Sequence, residues 1–398
     1  MRNPFNARGP TDPKYYANRE DLLEFFRKNI GAAAKSKVTK PDNIAILGEW
    51  GIGKTSSLYK FKDILYNEMG GEVNAFSAVI PIKPSCCVNA DVFTTSLLDS
   101  LYAEYSVSTP ILSKIKNVMA EEAKVWEKWK LKSLSFKPEI ERKTKTYGAV
   151  NLSEALLNLW RKLNANGVEI AVIMLDDVQY LLLEGLGSSL FDLRTDIQSL
   201  STQGVNYMFV ITGLSFLYPE MHKLAEPFTR LFEKFELKPF DLKGTQELIK
   251  KPLDAEKISM SVSDEVVKRI HELTEGHPFF ITLIMRDLLF KFDKGKITEK
   301  KFDEIYKEII VHLAKTKFED DLNKATDAEK KILFKVSKSK KSECSPSDVK
   351  ASAKLFERLV EKNLLIKVAR GKYRVYHSLF QEYLRERIHY QNKDVSKS

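Results

Sequence analysis

The sequence predicts an α/β protein: a parallel αβα sandwich, then an all-helical domain, then a C-terminal winged helix. Apolar strand segments alternate with helical patterns up to about residue 213, which is typical of a parallel sheet covered by helices. The pattern then becomes all helical to about residue 324, and three helices with a hairpin follow. We therefore expect domains at residues 1–240, 241–324 and 325–398.

The elements of the first domain are predicted in a regular order after a proline-rich N-terminal arm. Helical periodicity indicates helices near Asn18 to Ile30 and at 54–68, 91–105, 152–164 and 189–201. Apolar runs indicate strands at 43–47, 77–82, 169–178 and 206–213, with another strand just after residue 230. Residues 110–150 give no clear pattern, because their stretch KVWEKWKLKSLSFK is both basic and aromatic.

The composition is typical of a soluble protein in a reducing compartment. Of the 398 residues, 43% are hydrophobic and 30% are charged, and no apolar run is long enough to span a bilayer. Met1 is not followed by the apolar segment of a signal peptide. The three cysteines, Cys86, Cys87 and Cys344, have no metal-ligand spacing. We therefore expect a cytoplasmic protein with no membrane partner.

Positive charge is concentrated near the C-terminus. The net charge is +10, and residues 330–372 alone contain 13 Lys and Arg against four Asp and Glu, a local balance of +9. Such asymmetry favours a polyanionic partner for this segment. A solvated Lys-rich surface, common in thermophile proteins, is the alternative from charge alone.

The strongest motif is GEWGIGKT, which matches G-x-x-x-x-G-K-[ST] in full and lies between a predicted strand and a predicted helix. Glycines there let backbone N–H groups surround phosphates at a helix N-terminus. Lys54 is expected to bind the β- and γ-phosphates of ATP, and the Thr55 hydroxyl to ligate Mg²⁺. The predicted nucleotide-binding residues here are Gly48, Glu49, Trp50, Gly51, Ile52, Gly53, Lys54, Thr55 and Ser56.

Two aspartates end the apolar run IAVIMLDDV. A P-loop needs a carboxylate on a neighbouring strand to orient Mg²⁺, and Asp176 is the better candidate. Asp177 follows where many ATPases carry glutamate, so it could polarise the attacking water or simply cap the next segment. Because its side chain is one methylene shorter than glutamate, we expect slow hydrolysis.

Two further polar residues follow strands of the predicted sheet. Thr212, in VITG, could sense the γ-phosphate, or could be an ordinary strand end. Arg230 precedes the next strand and could act as an arginine finger, reaching the γ-phosphate of a neighbouring subunit or the chain's own phosphates.

These motifs in this order resemble the archaeal ATPase family of the AAA+/STAND P-loop NTPases and, more distantly, origin-recognition-type initiators. NPFNARGPTDPKYYANREDLLEFF is similar to that family's N-terminal box, and the resemblance implies that Tyr16 and Arg19 lie near adenine. LDDVQYL is similar to the second acidic motif of STAND proteins.

The resemblance extends to the later parts of the chain. TEGHPFFITLI resembles the Gly-x-Pro element of the STAND lid, which implies that Pro278 touches adenine and that His277 approaches the phosphates. Arg286 in the next helix would be a sensor arginine. YRVYHSLF resembles the Met-His-Asp segment whose histidine meets the β-phosphate of ADP; His377 is kept, but neither neighbour is.

The last domain is predicted to contain helices at 327–339, 345–352 and 353–363, with a hairpin that turns at Arg370 and Gly371. Cations on its third helix and its wing could bind the phosphates of double-stranded DNA without strong sequence choice. These residues are Lys354, Arg358, Lys362, Arg370 and Lys372, with Lys367 beside them. Winged helices also dock proteins, and that alternative stays open.

Three functions are compatible with these features. The first is a slow ATPase that acts as a nucleotide-dependent switch or loader on DNA. The second is a STAND-type signalling switch whose winged helix contacts a protein client or its own ADP. The third is a homo-oligomeric remodelling ATPase in which Arg230 acts across a subunit boundary.

Overall fold

The computed structural model describes residues 3–35, 40–107, 152–215, 219, 221, 230–339 and 343–395. The basic, aromatic stretch at 124–137 lies outside the described residues. Within them, no helix is both long and apolar enough to cross a membrane. The chain divides into two compact units. The sheet unit comprises Arg19–Gly48 and Lys54–Leu237, and the helical unit comprises Met1–Asn18, Glu49–Gly53 and Lys238–Ser398.

The sheet unit is built on five parallel strands in the order β2-β3-β4-β1-β5. The strands are β1 (Asn43–Leu47), β2 (Ala75–Pro81), β3 (Ile170–Asp176), β4 (Tyr207–Gly213) and β5 (Phe232–Glu236). Its helices are α1 (Glu20–Lys35), α2 (Lys54–Asp63, extended by a π-helical turn at Ile64–Glu68), α3 (Ala90–Val107), α4 (Leu152–Ala165), α5 (Gln179–Leu183) and α6 (Gly187–Thr202). The predicted α/β sandwich is therefore confirmed.

The central strands are apolar on both faces, as parallel sheets require. Every residue of β3 and β4 is buried, and β1 is buried from Ile44 onward. The side chain of Asn43 fixes the register of β1 with both neighbours. It accepts a hydrogen bond from the Phe209 N–H at 2.8 Å and donates one to the Leu231 carbonyl at 3.1 Å.

Because the strands are parallel, their carboxyl ends share one edge of the sheet. Leu47 is paired with Gly213, and Pro81 with Asp176. This edge therefore carries the two acidic residues predicted as functional and the start of the glycine-rich segment, as the sequence led us to expect.

The helical unit has its own hydrophobic core, to which Phe5 and Ala17 of the N-terminal arm belong. Its helices are α7 (Leu242–Ala255), α8 (Asp264–Thr274), α9 (Pro278–Lys291), α10 (Glu299–Leu313, followed by a π-helical turn at Ala314–Phe318), α11 (Glu319–Asn323), α12 (Asp327–Lys338), α13 (Ala353–Glu361) and α14 (Ser378–Val395). Its strands are β6 (Met260–Val262), β7 (Gly295–Ile297), β8 (Leu365–Ala369) and β9 (Lys372–Val375).

Two predictions for the helical unit need correction. The stretch expected to be all helical contains a short parallel pair, β6 with β7, in which each strand has three residues. The helix expected at 345–352 is instead a run of turns at 346–350, where Lys350 has a positive φ of 52°. Ser345 begins this run by hydrogen bonding to Asp348, a local bond that competes with helix formation.

The hairpin of β8 and β9 is antiparallel and turns at Arg370 and Gly371, as predicted. Gly371 has a φ of +71°, which suits a tight hairpin turn. The helix before it, α13, buries Phe356 and Leu359, whereas Leu355 and Val360 are only half-buried.

Candidate nucleotide-binding site

The glycine-rich segment has the local structure that its motif predicts. β1 ends at Leu47, the loop follows, and α2 begins at Lys54. Gly51 and Gly53 have φ values of +77° and +107°. Residues with a Cβ rarely adopt these values, so glycine is required for the turn itself.

Lys54 and Thr55, the first two residues of α2, take defined positions in the sheet unit. Lys54 is buried, and its Nζ donates to the Gly48 carbonyl at 3.0 Å. Thr55 Oγ1 donates to Asp176 Oδ2 at 2.7 Å. The threonine and the aspartate chosen from the sequence as the Mg²⁺ residues are thus in contact.

Asp176 is 6% exposed, and each of its two oxygens accepts a hydroxyl hydrogen bond. Burial raises the pKa of this carboxyl, while the hydrogen bonds from Thr212 and Thr55 lower it. Carboxylate and hydroxyl oxygens are the ligands that hard cations such as Mg²⁺ prefer. This donor set therefore fits a magnesium ion.

Thr212, predicted to sense a phosphate, instead joins the two aspartates. Its Oγ1 donates to Asp176 Oδ1 and accepts a hydrogen bond from the Asp177 N–H at 2.9 Å. Thr212 is fully buried. Its hydroxyl therefore links the Asp176 carboxylate to the Asp177 backbone.

Asp177 lies just past β3 with a φ of +63°. Such a conformation costs a non-glycine residue about 1–3 kcal/mol, and it persists only where neighbours impose it. The side-chain Nε2 of Gln179 donates to Asp177 Oδ1 at 3.0 Å. Sequence reasoning missed Gln179; the signal was a polar residue opening the otherwise apolar helix QYLLL.

The segment Glu49–Gly53 packs within the helical unit on the start of α9. A Cβ at Gly51 would lie 2.9 Å from the Phe279 Cβ and 3.2 Å from His277 Cε1. The ring of Phe279 also meets the indole of Trp50 edge-on, at 4.8 Å between centroids. His277 and Pro278, the N-cap and first residue of α9, are thus beside the loop residues of their own unit.

Trp50 also contacts a buried lysine. Lys317 Nζ lies 4.0 Å from the centre of the indole ring and 2.7 Å from Asp321. Asp321 further accepts from Lys324 at 2.7 Å and from the Tyr376 hydroxyl at 2.8 Å. This group, Trp50, Lys317, Asp321 and Tyr376, is hereafter the loop–hairpin cluster, because it connects the glycine-rich loop with the end of β9.

His377, which the resemblance places at the β-phosphate of ADP, is held by backbone groups of its own unit. Its Nε2 donates to the Thr274 carbonyl at 2.9 Å, and its Nδ1 accepts from the Leu379 N–H at 3.1 Å. Both ring nitrogens are therefore occupied by backbone groups, and the ring is 3% exposed. Through these hydrogen bonds His377 connects the start of α14 with the end of α8.

This histidine should make the protein less stable in acid. Burial lowers the pKa of His377, as does Arg374, while the Thr274 carbonyl and Glu275 raise it. Because the folded-state pKa is depressed, the stabilisation is complete above about pH 6.5, the unfolded value, and is lost as pH falls through the folded value. Urea unfolding at pH 8 and pH 5 should show this fall.

The His377→Leu variant should show a smaller fall with pH than the natural protein. At pH 8 it should lose about 1–3 kcal/mol, because two buried backbone groups lose their partner. An equal pH dependence in the variant and the natural protein would assign the effect to other groups.

The remaining predicted site residues are placed as follows. Arg230 is exposed just before β5. Tyr16 is buried, and its carbonyl accepts from Lys251 Nζ at 2.5 Å. Asn18 and Arg19 have φ values of +61° and +73°, so α1 begins at Glu20, two residues after the predicted start at Asn18. Arg286 Nη2 lies 3.0 Å from His312 Nε2, so the guanidinium predicted as a sensor packs against α10.

Most C-terminal cations chosen from the sequence are exposed. These are Lys354, Arg358, Lys367, Arg370 and Lys372. Lys362 differs, because its Nζ lies 2.6 Å from Glu329 Oε2, a carboxylate 1% exposed in the capping box of α12. Its ammonium is therefore paired within the helical unit, unlike the five exposed cations.

No protein-family model matches the sequence, and no curated protein matches it. Solved structures resemble the fold. A Walker-type ATPase of Pyrococcus abyssi has a TM-score of 0.58 at 16% identity, covering 96% of this chain and 99% of its own. The Aeropyrum pernix ORC2 protein, in ADPNP and ADP complexes, has a TM-score of 0.52 at 11% identity, covering 97% and 98%.

The Aeropyrum pernix ORC1 protein in complex with DNA has a TM-score of 0.50 at 13% identity, covering 93% of this chain and 92% of its own. At these identities the likeness concerns the fold. The resemblance inferred from the motifs is confirmed at that level. The chain shares its fold with the Walker-type ATPase of Pyrococcus abyssi and with the Aeropyrum pernix ORC1 and ORC2 proteins.

Proposed function

We propose that this protein binds ATP and ADP with Mg²⁺, hydrolyses ATP slowly, and acts as a nucleotide-dependent switch on double-stranded DNA. The observation that most strongly supports this function is the complete G-x-x-x-x-G-K-T segment between β1 and α2, whose threonine contacts Asp176. Nucleotide binding is further supported by two structures of one protein with a similar fold, Aeropyrum pernix ORC2, which were solved as ADPNP–ADP complexes and in the ADP form.

In this proposal each residue has one task. Lys54 neutralises phosphate charge, and the backbone N–H groups of the loop bind phosphate oxygens. Thr55 and Asp176 hold Mg²⁺, which would supply charge neutralisation. Asp177 orients and polarises the attacking water. Thr212 keeps both aspartates in place through its hydroxyl.

Nucleotide binding is tested by titrating the protein with fluorescent ADP and ATP analogues in the presence of Mg²⁺. Saturable binding that unlabelled ATP displaces is expected. Absence of binding at millimolar nucleotide would refute the proposed site. Release of phosphate in a single-turnover assay then tests hydrolysis.

The loop–hairpin cluster supports the switch. Trp50 belongs to the glycine-rich loop, and Tyr376 directly follows β9 of the hairpin. Both contact the same buried pair, Lys317 with Asp321. A change in the loop on nucleotide binding or hydrolysis can therefore reach the hairpin through packed side chains of one unit.

The C-terminal residues 325–398 are proposed to form the winged helix that binds DNA. Arg370 lies in the hairpin turn, Lys372 directly follows the turn, and Lys354 and Arg358 lie on α13; all four are exposed. Binding through such cations depends on phosphate contacts and favours affinity over sequence choice. One fold neighbour, the Aeropyrum pernix ORC1 protein, was solved in complex with DNA.

Replacing Arg370 and Lys372 together with alanine should weaken binding to a labelled random duplex. If each cation contacts one phosphate, the slope of log K against log salt should become shallower by about 2. Fluorescence anisotropy over a salt series, with ATP and again with ADP, measures this slope and its dependence on nucleotide.

The chain offers a matched control for this experiment. Lys294 and Lys296 flank Gly295 as Arg370 and Lys372 flank Gly371, and both lysines are exposed. Their double alanine variant removes the same charge and should retain the full slope. No binding by the natural protein at low salt would exclude DNA and favour a protein client for the hairpin.

A further inference from the structure

The carboxylate of Asp177 is held by a buried amide. Asp177 follows β3 directly, and its backbone is fixed by two bonds to Thr212: its own N–H donates to Oγ1 at 2.9 Å, and the Val178 N–H donates to the Thr212 carbonyl at 2.9 Å. Gln179 Nε2 donates to Asp177 Oδ1 at 3.0 Å. Backbone and side chain of Asp177 are therefore both fixed.

Gln179 is unusual for its position. It is the first residue of α5, and at 5% exposure it is buried although glutamine is mostly a surface residue. Its Oε1 is buried with no hydrogen-bond partner among the described protein groups. Desolvating an amide that is only half satisfied is unfavourable, so its single bond to Asp177 calls for a reason beyond packing.

The second oxygen of Asp177 is left available. Among the described residues, only the Gln179 amide hydrogen bonds to this carboxylate, and it takes Oδ1. Asp177 itself is half-buried and directly follows β3, at the carboxyl edge of the sheet. An aspartate rotates about fewer bonds than a glutamate but reaches less far, so one fixed oxygen defines where the other points.

We propose that Gln179 is a positioning residue that fixes Asp177 Oδ1, so that Oδ2 faces the water attacking ATP. The proposal rests on the proposed ATPase function and extends it to a residue that the sequence did not mark as functional. Gln179 touches no reacting atom and acts only through Asp177. Its removal should slow the chemical step and leave nucleotide binding intact.

The test compares Gln179→Leu with the natural protein in single-turnover ATP hydrolysis. Leucine keeps most of the volume and removes the amide. The rate at saturating ATP should fall about 10-fold or more, with the nucleotide dissociation constant changed less than about threefold, since fixing a reacting group contributes to the barrier rather than to ground-state binding. Gln198→Leu, at an exposed glutamine of α6, is the matched control and should change neither value.

A double-mutant cycle separates positioning from general support of the fold. If Gln179 acts through Asp177, adding Gln179→Leu to Asp177→Asn should slow the residual reaction less than about twofold. The proposal would be overturned if Gln179→Leu lowered the hydrolysis rate of Asp177→Asn by as large a factor as it lowers the rate of the natural protein. An unchanged rate in the single variant, or a parallel collapse of nucleotide binding, would also overturn it.

Controls for folding and for nucleotide binding distinguish the possible outcomes. Circular dichroism establishes that each variant is folded, and Gln179→Met, which is unbranched, replaces the leucine variant if that one unfolds. If the natural protein binds no nucleotide, the proposed function itself fails. If it binds and hydrolyses ATP while Gln179→Leu does so equally well, only the role of Gln179 fails.

Discussion

Replacing Asp321 with alanine is expected to lower the free energy of unfolding by about 3–5 kcal/mol, because it leaves the buried ammonium of Lys317 without its counter-ion. The Asp321 side chain is 3% exposed, and that of Lys317 is 12% exposed. Burial lowers the pKa of Lys317, and Asp321 opposes that shift. Urea unfolding of the full chain, followed by circular dichroism, measures the loss.

Two variants show whether this loss comes from the buried pair. Lys324 also binds Asp321, but its side chain is 52% exposed, so Lys324→Ala should cost less than about 1 kcal/mol. The double variant Asp321→Leu with Lys317→Met should be more stable than Asp321→Ala, since no unpaired charge remains. A loss below about 1 kcal/mol in Asp321→Ala would show that Lys317 finds water or another partner.

Lys54→Ala is expected to weaken ATP binding by about 2–5 kcal/mol, which is roughly 30-fold or more. The lysine is the first residue of α2 and is buried, and its ammonium donates a hydrogen bond to the Gly48 carbonyl. Its removal takes away the positive charge expected to neutralise the phosphates. Alanine has the highest helix propensity, so α2 should persist. Isothermal titration with ATP and Mg²⁺ gives the affinity.

The control for Lys54→Ala is Lys62→Ala in the same helix. Lys62 forms a partly exposed ion pair with Glu104, so its loss removes equal charge far along α2. ATP affinity in this control should match the natural protein. Normal affinity in Lys54→Ala would instead refute the assignment of the phosphate site.

The sheet and the carboxylate pair could be predicted because the signals are local. Strands β1, β3 and β4 are continuous apolar runs, and parallel strands place their carboxyl ends on one edge. A glycine-rich segment after one strand and two aspartates after another were therefore enough to expect Thr55 near Asp176. Their hydrogen bond is confirmed in the structure.

Other features depend on contacts between distant parts of the chain. The partner of His377 is the carbonyl of Thr274, 103 residues away, and the partner of Lys362 is Glu329. The periodicity of the sequence reveals neither contact. The motif around His377 therefore pointed to ADP, and the charge of Lys362 pointed to DNA. Strands β6 and β7 have three residues each, too few to show an alternating pattern.

The loop–hairpin cluster was missed for the same reason. Lys317 and Asp321 have the i, i+4 spacing of an ordinary solvent-exposed helical pair. What makes them unusual is their burial beside Trp50 and Tyr376, and a single sequence does not report burial of charged residues.

The strand order has a consequence for synthesis on the ribosome. β1 lies between β4 and β5, and Asn43 is paired with Phe232, so this interior strand is translated first and its last neighbour much later. At about 5–20 residues per second, β5 emerges about 10–40 s after β1. Until β4 emerges the apolar segment NIAIL lacks both neighbours, and one of its edges stays unpaired in the nascent chain until Glu236 has been synthesised.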